Sequence, residues 1–428
     1  MNIGFIIGRI GGIDGVALET EKWIQVLKKQ GHTIFILTGV LDSYDFDNVT
    51  ILPELDFHHP LTFREQEHAF FRQHVNEDRL ISRLEKQAHH IETDILRWII
   101  KQKIDVIVSE NATALPCHLT MGWAITHVLE KTHIPCVAHD HDFYWERGDR
   151  YKSNYSSIRK LIKDCFPIKS PNVQHVVINL HSQKQLKKRF DIYADVVPNV
   201  MDFSTPYAKK DNFNKNLLKQ LKIDGKKEIA LFQVTRIGER KRIDTAIELI
   251  SRLDDPKIKL VITGTDVDDK NTIYYAELFD LVDDLKIHDQ VIFAGNRFSG
   301  HRVKHKRRRQ QYSIEDAYVY ARACTYFSNY EGFGNAFIEA VAAKKPIFVN
   351  NYKPVYWTDI GSKGFETVMI ENNRLTDKAV SQIKEIINSP KQCREIAEHN
   401  FKIGKANFSY EVLDDLLSKI FKKVTSTD

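Results

Sequence analysis

The chain has 428 residues, of which 42% are hydrophobic and 28% are charged, and its formal net charge is +5. This balance is that of a globular protein with about two or three domains, and it excludes disordered, collagen-like and disulfide-scaffold chains. The apolar runs fall far short of the roughly 20 residues that a transmembrane helix needs. The first residues lack a basic segment followed by an apolar one, so we expect no secretory signal.

The five cysteines are widely spaced, and no Cys-x-x-Cys pair occurs among them. This pattern predicts reduced, buried thiols and argues against a zinc ribbon or a disulfide framework. We therefore expect a cytoplasmic protein, with peripheral membrane contact as a second option.

In the first half of the chain, strand patterns alternate with helix patterns. A strand over 2–8, a glycine-rich loop over 9–15 and a helix over 16–30 open the sequence, and a strand over 32–39 follows. Later helices are predicted over 91–103, 115–132 and 182–190, and strands over 104–109, 134–139 and 173–179. This alternation predicts a parallel sheet that is covered on both faces.

Residues 194–226 change in character and become rich in lysine and asparagine, which predicts a linker. Beyond it, strands (228–235, 258–263, 291–294, 325–328, 346–349) again alternate with helices (242–253, 273–285, 314–323, 335–343), and 382–423 is mostly helical. The pattern predicts an N-terminal Rossmann-like domain (1–200), a C-terminal Rossmann-like domain (201–405) and a terminal helix (406–428) that returns to the first domain. We expect an α/β fold in which the two domains face each other across a cleft.

In open α/β sheets, ligands bind at the carboxyl ends of the strands, and the motif at 330–340 lies at such a position. Its glycines permit close approach of the backbone, and the first N–H groups of the following helix favour a diphosphate. Glu331 and Glu339 suit the hydroxyl groups of a sugar or ribose, because carboxylates accept strong hydrogen bonds. The alternative is a glycine-rich turn with two solvated glutamates.

A second motif, 235–241, directly follows an apolar strand. Its Arg236 and Lys241 combine a guanidinium fork with a mobile ammonium group, and this combination suits a diphosphate or a leaving group. Two solvated surface charges are the simpler interpretation of the pair taken alone.

The loop at 138–147 contains His139 and His141, also after a strand. His-x-His can be a metal-binding pair, but no third ligand is evident by spacing, so we predict no metal site. Histidine next to aspartate can instead position a sugar hydroxyl or a proton. A hydrogen-bonded loop histidine is the structural alternative.

Three further segments carry weaker signals. The glycines of the first loop (Gly11, Gly12 and Gly15) allow the backbone to approach a ligand. Asp266-Val267-Asp268 is interpreted as a solvated loop rather than a metal motif. The basic run 301–309 is interpreted as a solvated loop or as a contact with an anionic surface, and no motif supports a nucleic-acid partner.

Taken together, the motifs resemble those of the GT-B retaining glycosyltransferases of family 4, also called group 1. Glu331 and Glu339 match the family's Glu-x7-Glu element, and Arg236 and Lys241 match its Arg-x4-Lys pair. The segment 197–202 resembles the interdomain Pro-Asn-Gly-x-Asp element. The resemblance covers nearly the whole chain and is most specific in its second half.

The resemblance implies a function for each motif. Arg236 and Lys241 would bind the donor diphosphate, Glu331 the hydroxyls of the transferred sugar and Glu339 the ribose. Either His139 or His141 would be the active-site histidine, with a slight preference for His141. The expected donor contacts also include Gly12, Gly264, Phe333, Gly334 and Asn335. The expected acceptor contacts are Gly15, Glu110, Asn111, Asp142, Trp145 and Arg147.

By the same resemblance, the reaction would be metal-independent hexose transfer with retention, and the leaving diphosphate would take the acceptor proton. The co-substrate is a nucleoside diphosphate sugar, and the acceptor is a small molecule, a glycan or a lipid-linked sugar. The stretches 142–147 and 14–21 resemble mannosylglucosylglycerate synthase-like enzymes, which favours GDP-mannose over UDP-glucose. The alternatives are a nucleotide-dependent oxidoreductase and a non-catalytic protein that binds nucleotide sugars.

Overall fold

A computed structural model describes residues 1–12, 14–42, 46–264, 272–304 and 310–426. The chain divides into two compact units, the first formed by Met1–Asn199 with Tyr410–Asp428 and the second by Val200–Ser409. Each unit contains a parallel sheet whose strands alternate with helices, so the predicted α/β fold with two Rossmann-like halves is confirmed. Among the described residues, no helix is both long and apolar enough to cross a bilayer.

The first unit is organised around a seven-stranded parallel sheet. Its strands are β1 (Asn2–Ile10), β2 (Thr33–Leu41), β3 (Val49–Ile51), β4 (Val106–Glu110), β5 (Cys136–Asp140), β6 (Val173–Val177) and β7 (Ala194–Val196). They lie in the order β3-β2-β1-β4-β5-β6-β7. The order reverses between β1 and β4, and the carboxyl ends of strands at such a reversal form the usual ligand site of this architecture.

The helices of the first unit follow the strands in sequence. They are α1 (Gly15–Lys29), α2 (Pro60–Gln66), α3 (Glu77–Gln102), α4 (Leu119–Thr132), α5 (Ser156–Cys165) and α6 (Leu180–Phe190). α1 begins where Asp14 accepts a hydrogen bond from the Ala17 N–H at 3.0 Å, a side-chain N-cap. α3 begins 14 residues before the predicted helix over 91–103. The prediction missed the first turns of α3 because they are mostly polar and bury only a narrow stripe of side chains.

The second unit has a six-stranded parallel sheet with the same type of reversal. The six strands of this sheet are β8 (Ile229–Gln233), β9 (Ile258–Ile262), β10 (Val291–Phe293), β13 (Ala323–Tyr326), β14 (Ile347–Asn350) and β15 (Met369–Ile370). Two further short strands, β11 (Phe298–Ser299) and β12 (Tyr312–Ser313), pair with each other in a separate sheet. The main sheet has the order β10-β9-β8-β13-β14-β15, which reverses between β8 and β13. The predicted motifs at 235–241 and 330–340 therefore follow the two strands at the reversal.

The remaining helices complete the second unit and return to the first. They are α7 (Leu217–Gln220), α8 (Ile243–Leu253), α9 (Thr272–Asp284), α10 (Ile314–Tyr320), α11 (Asn335–Ala342), α12 (Asp377–Asn388), α13 (Pro390–Phe408) and α14 (Tyr410–Thr425). α14 belongs to the first unit, where the Gln30 side chain donates to the Asp414 carbonyl at 2.9 Å. α14 overlaps the predicted terminal helix over 406–428. The segment predicted as a linker contains β7 and α7, which are too short to produce a periodic pattern.

Two segments discussed above lie wholly or partly outside the described residues. Asp266-Val267-Asp268 is not described, and neither are residues 305–309 of the basic run. In the described start of that run, the Arg302 guanidinium pairs with Asp211 and with the buried Asp316, each at 2.5 Å. Arg302 therefore contributes to the packing of the second unit.

Candidate functional site

The first cluster of site residues lies at the carboxyl ends of β4 and β5. Glu110 ends β4 and is paired in register with His139 of β5, so both side chains project from the same face of the sheet. His139 Nδ1 lies 3.0 Å from Glu110 Oε2, and His141 Nε2 lies 3.6 Å from the same oxygen. The indole of Trp23, on α1, stacks on the His139 ring with centroids 4.0 Å apart.

The three side chains of Glu110, His139 and His141, here called the first-unit triad, are buried. Burial alone would raise the pKa of Glu110, but the charges and hydrogen bonds of the two histidines outweigh it and lower that pKa to about 2. One ligand atom from each residue lies within 4.8 Å of the others, so the triad could hold a metal ion. The spacing analysis missed this third ligand because Glu110 is 29 residues from His139 in sequence.

Several predicted acceptor contacts surround the triad. The side-chain oxygen of Asn111 accepts from the His141 backbone N–H at 3.0 Å, and its amide donates to Asp142 at 3.0 Å. Asp142 in turn pairs with Arg147. Trp145 stacks on Phe143 beside them, with ring centroids 4.5 Å apart. The structure therefore joins Asn111, Asp142 and Arg147 in one network, while the contact of these residues and Trp145 with an acceptor stays a prediction.

The first glycine loop has a carboxylate partner that the motif analysis did not select. Gly12 lies in the loop after β1, and Gly15 begins α1. Glu21 of α1 accepts a hydrogen bond from the Gly11 backbone, and burial raises the pKa of Glu21 to about 7. Its Oε1 is buried without a hydrogen-bond partner among the described residues. The sequence signal that could have identified Glu21 was its position four residues after the buried Ala17, on the inner side of an amphipathic helix.

In the second unit, the end of β8 and the loop after β13 bring two cations to one carboxylate. Lys241 Nζ contacts Glu331 Oε1, and Arg240 Nη1 donates to Glu331 Oε2 at 2.8 Å. Arg240 also donates to the Tyr330 carbonyl at 3.0 Å. The sequence analysis predicted Lys241 and Glu331 but not Arg240, because no motif assigned a partner to the residue before the lysine.

The electrostatics of this second cluster are dominated by the two ion pairs. Burial would raise the pKa of Glu331, but Lys241 and Arg240 outweigh it and lower that pKa to about 2. Arg236 lies on the loop that follows β8, as Lys241 does, and its side chain is exposed. The cluster thus combines one buried carboxylate with three cationic groups, an arrangement that favours an incoming anion.

The loop before α11 requires glycine at one position. Gly334 has a φ of +123°, and a Cβ there would lie 2.2 Å from the buried Tyr352 hydroxyl. The same hydroxyl donates to the Phe333 carbonyl at 3.0 Å, which fixes the loop. Asn335 then begins α11, so the first N–H groups of this helix follow a rigid turn.

The last two predicted donor contacts also lie in the second unit. Glu339, on α11, accepts a hydrogen bond from the hydroxyl of the buried Tyr318 at 2.8 Å. Gly264 follows β9, where a Cβ would lie 2.2 Å from the Thr235 carbonyl, so the two backbones meet without intervening side chains. Both residues stay predicted contacts for the donor.

Known proteins are similar to this chain over nearly its whole length. The chain is 33% identical over 442 residues to the mannosylglucosylglycerate synthase of Thermotoga maritima, covering 98% of this chain and 99% of that relative. It is 27% identical to the protein of the same name from Petrotoga mobilis, covering 95% of this chain and 98% of the relative. The family model described as "Glycosyl transferases group 1" matches residues 213–402.

A solved structure supports the fold. Anabaena HepE in complex with UDP and glucose has a TM-score of 0.66 and 14% identity, covering 99% of this chain and all of that one. The sequence-based alternatives, an oxidoreductase and a non-catalytic binding protein, have no support among these similarities. The full-length similarity and the family match together show that the chain belongs to the group 1 glycosyltransferases and is a glycosyltransferase with the GT-B fold.

Proposed function

We propose that the protein transfers a hexose from a nucleoside diphosphate sugar to a hydroxyl group of an acceptor, with retention at the anomeric carbon. GDP-mannose is the favoured donor, because the full-length relatives are named for a mannosylated product. UDP-glucose is the second candidate. Retention is what the motif resemblance implies.

The observation that carries the proposal is the cationic cluster beside a helix start in the second unit. Arg236, Lys241 and the first N–H groups of α11 follow the strands at the reversal of the sheet. Positive groups of this kind stabilise a diphosphate as it leaves with the bonding electrons. We therefore propose that no metal ion is needed at the diphosphate.

Glu331 and Glu339 would orient the two ends of the donor. Lys241 contacts Glu331 Oε1 while Arg240 contacts Oε2. Movement of Lys241 to the diphosphate would leave Oε1 available to a sugar hydroxyl, while Arg240 would keep the carboxylate in place. Glu339 would bind the ribose, as the motif resemblance implies.

The acceptor would bind to the first unit, with His141 and the Asn111–Asp142–Arg147 network as its contacts. In the transfer, the bond from the anomeric carbon to the diphosphate breaks and a bond to the acceptor oxygen forms. The acceptor proton passes to the departing diphosphate. Glucosylglycerate is the first acceptor to test, because the relatives' name describes a mannosylated form of it.

A ligand panel tests the proposal. Thermal unfolding of the full chain is measured in the presence of GDP, UDP, ADP and their sugars. In a separate assay, transfer to glucosylglycerate is measured by product formation. The cognate donor at 100 times its Kd should stabilise the protein by about 2.7 kcal/mol. The anomeric configuration of the product, determined by NMR, should equal that of the donor. Stabilisation by none of these nucleotides, or an inverted product, would contradict the proposal.

A further inference from the structure

We infer that the first-unit triad binds a divalent transition-metal ion of the Zn²⁺ type. Glu110, His139 and His141 supply one carboxylate and two imidazoles from the adjacent ends of β4 and β5. Two imidazoles with one carboxylate form a three-ligand set that zinc proteins use when a fourth position stays open. This inference does not depend on the identity of the donor sugar.

The distances within the triad suit one shared ion. Zinc bonds of about 2.0–2.2 Å at tetrahedral angles hold neighbouring ligand atoms about 3.3–3.5 Å apart. Glu110 Oε2 lies 3.0 Å from His139 Nδ1 and 3.6 Å from His141 Nε2, values on either side of that spacing. One ligand atom of each of the three residues lies within 4.8 Å of the other two.

Unpaired polar atoms at the triad give an independent argument. Glu110 Oε1, His139 Nε2 and His141 Nε2 are buried and have no hydrogen-bond partner among the described residues. A buried polar atom without a partner destabilises the fold, because it has lost its hydrogen bonds to water and gained none in the protein. His141 Nε2 is also one of the proposed ligand atoms, so a cation bound there would give this buried nitrogen a partner.

The surroundings hold the candidate ligands in place, as outer contacts do at metal sites. Trp23 stacks on the His139 ring, and Asn111 accepts a hydrogen bond from the His141 backbone. Asp140 projects from the opposite face of β5, where it pairs with His175 at 3.0 Å, so it does not compete for the ion.

The donor set determines which ion is expected. Mg²⁺ and Ca²⁺ prefer ligand sets made of oxygen atoms, whereas imidazole nitrogen with one carboxylate suits Zn²⁺ and its first-row neighbours. Three protein ligands leave the fourth position to water or to an oxygen of a bound molecule. The ligands of the proposed ion all belong to the first unit, whereas Arg236, Lys241 and the start of α11, which are proposed to hold the diphosphate, belong to the second.

The chain contains a matched control for this site. Glu92 also lies near two histidines, with His89 Nδ1 at 3.5 Å and His127 Nδ1 at 3.3 Å, but the Lys131 ammonium pairs with its other oxygen. This second group has the same residue types and is more exposed at its histidines. A cation already paired with the carboxylate should exclude a metal ion.

The experiment uses the full chain, stripped with EDTA and titrated with Co²⁺ as a spectroscopic substitute for Zn²⁺. We expect a visible ligand-field absorption that saturates at one equivalent and is displaced by one equivalent of Zn²⁺ but not by Mg²⁺. Glu110→Gln and His141→Asn should abolish the signal, whereas Glu92→Gln should leave it unchanged. Circular dichroism confirms that each variant is folded.

Three results would overturn the inference: no absorption with the unaltered chain, a signal that survives in Glu110→Gln, or a signal lost in Glu92→Gln but kept in the triad variants. The first result would assign the triad to a metal-free hydrogen-bonded cluster. Donor stabilisation by the second unit is measured on the same stripped protein, so failure of this inference and failure of the proposed transfer are separable.

Discussion

The two candidate sites differ in how they are assembled and in the charge that they present. In the second unit, a buried carboxylate faces two cations that pair with it and a third, exposed cation on the same loop. In the first unit, one carboxylate faces two imidazoles in a fully buried cluster. The first arrangement is suited to an anion and the second to a cation or a proton, although both lie at the carboxyl ends of parallel strands.

The comparison shows that the same architecture supports opposite chemistry. The sheet supplies the location, while the residues that follow two neighbouring strands supply the charge. Four substitutions would sharpen or break this distinction.

The largest expected effect comes from Glu331→Ala. Loss of the carboxylate removes the contact proposed for the sugar and leaves Lys241 and Arg240 without their partner. Transfer should fall on the order of 1000-fold in kcat/KM, the upper range for removal of one positioned polar group. Steady-state kinetics measure the loss. Glu239→Ala, an exposed glutamate on the neighbouring loop, should keep full activity; equal activity of the two variants would contradict the assignment.

Gly334→Ala tests the rigid turn before α11. A methyl group there combines a φ of +123° with a contact at 2.2 Å to the Tyr352 hydroxyl. We expect a loss of about 3 kcal/mol in the free energy of unfolding. In the control Gly364→Ala, φ is +95° but nothing lies within 4 Å, so the loss should be about 1 kcal/mol. Chemical denaturation measures both, and similar losses would show that the turn tolerates a side chain.

Arg240→Ala tests the cation that only the structure revealed. Its side chain is half-exposed, so its pair with Glu331 is worth about 1 kcal/mol at most. The donor KM should rise about 5-fold, with little change in kcat, because Lys241 still holds one carboxylate oxygen. Arg240→Lys should recover part of the loss. A KM equal to that of the unaltered protein would show that Arg240 does not position Glu331.

The smallest effect is expected for Glu21→Gln, and it depends on pH. Burial raises the pKa of Glu21 from 4.5 to about 7, so the folded state binds this proton more tightly than the unfolded state does. Its contribution to stability is therefore present below pH 4.5 and is lost as the pH rises through 7. Glutamine does not ionise, so Glu21→Gln should avoid that loss. We expect its free energy of unfolding, relative to the unaltered chain, to be higher at pH 8 than at pH 5 by on the order of 1 kcal/mol, a modest difference because the group is only half-buried. Urea unfolding at both pH values checks the sign; an equal effect at both would contradict the raised pKa.

Much of the second site could be predicted from the sequence, because each of its motifs is contiguous. The segments 235–241 and 330–340 each follow a recognisable apolar strand, so a periodic pattern places them at one edge of a sheet. Arg240 could not be selected, since its pairing with Glu331, 91 residues away in sequence, depends on how two loops approach each other.

The first site was less accessible to sequence reasoning. The spacing of His139 and His141 suggested a pair of ligands, but Glu110 became their partner only through the register of β4 with β5. Glu21 was likewise hidden, because a glutamate on a helix is usually solvated and only the packing against the glycine loop buries it.

The sequence alone determined the alternation of strands and helices, the two-domain plan and the segments that carry the donor motifs. These depend on hydrophobic period and local turn chemistry, which act over a few residues. The tertiary structure decided which side chains share a charge, a stacking partner or a ligand position. Such contacts join residues that are distant in sequence, and strand register and burial, rather than local pattern, determine them.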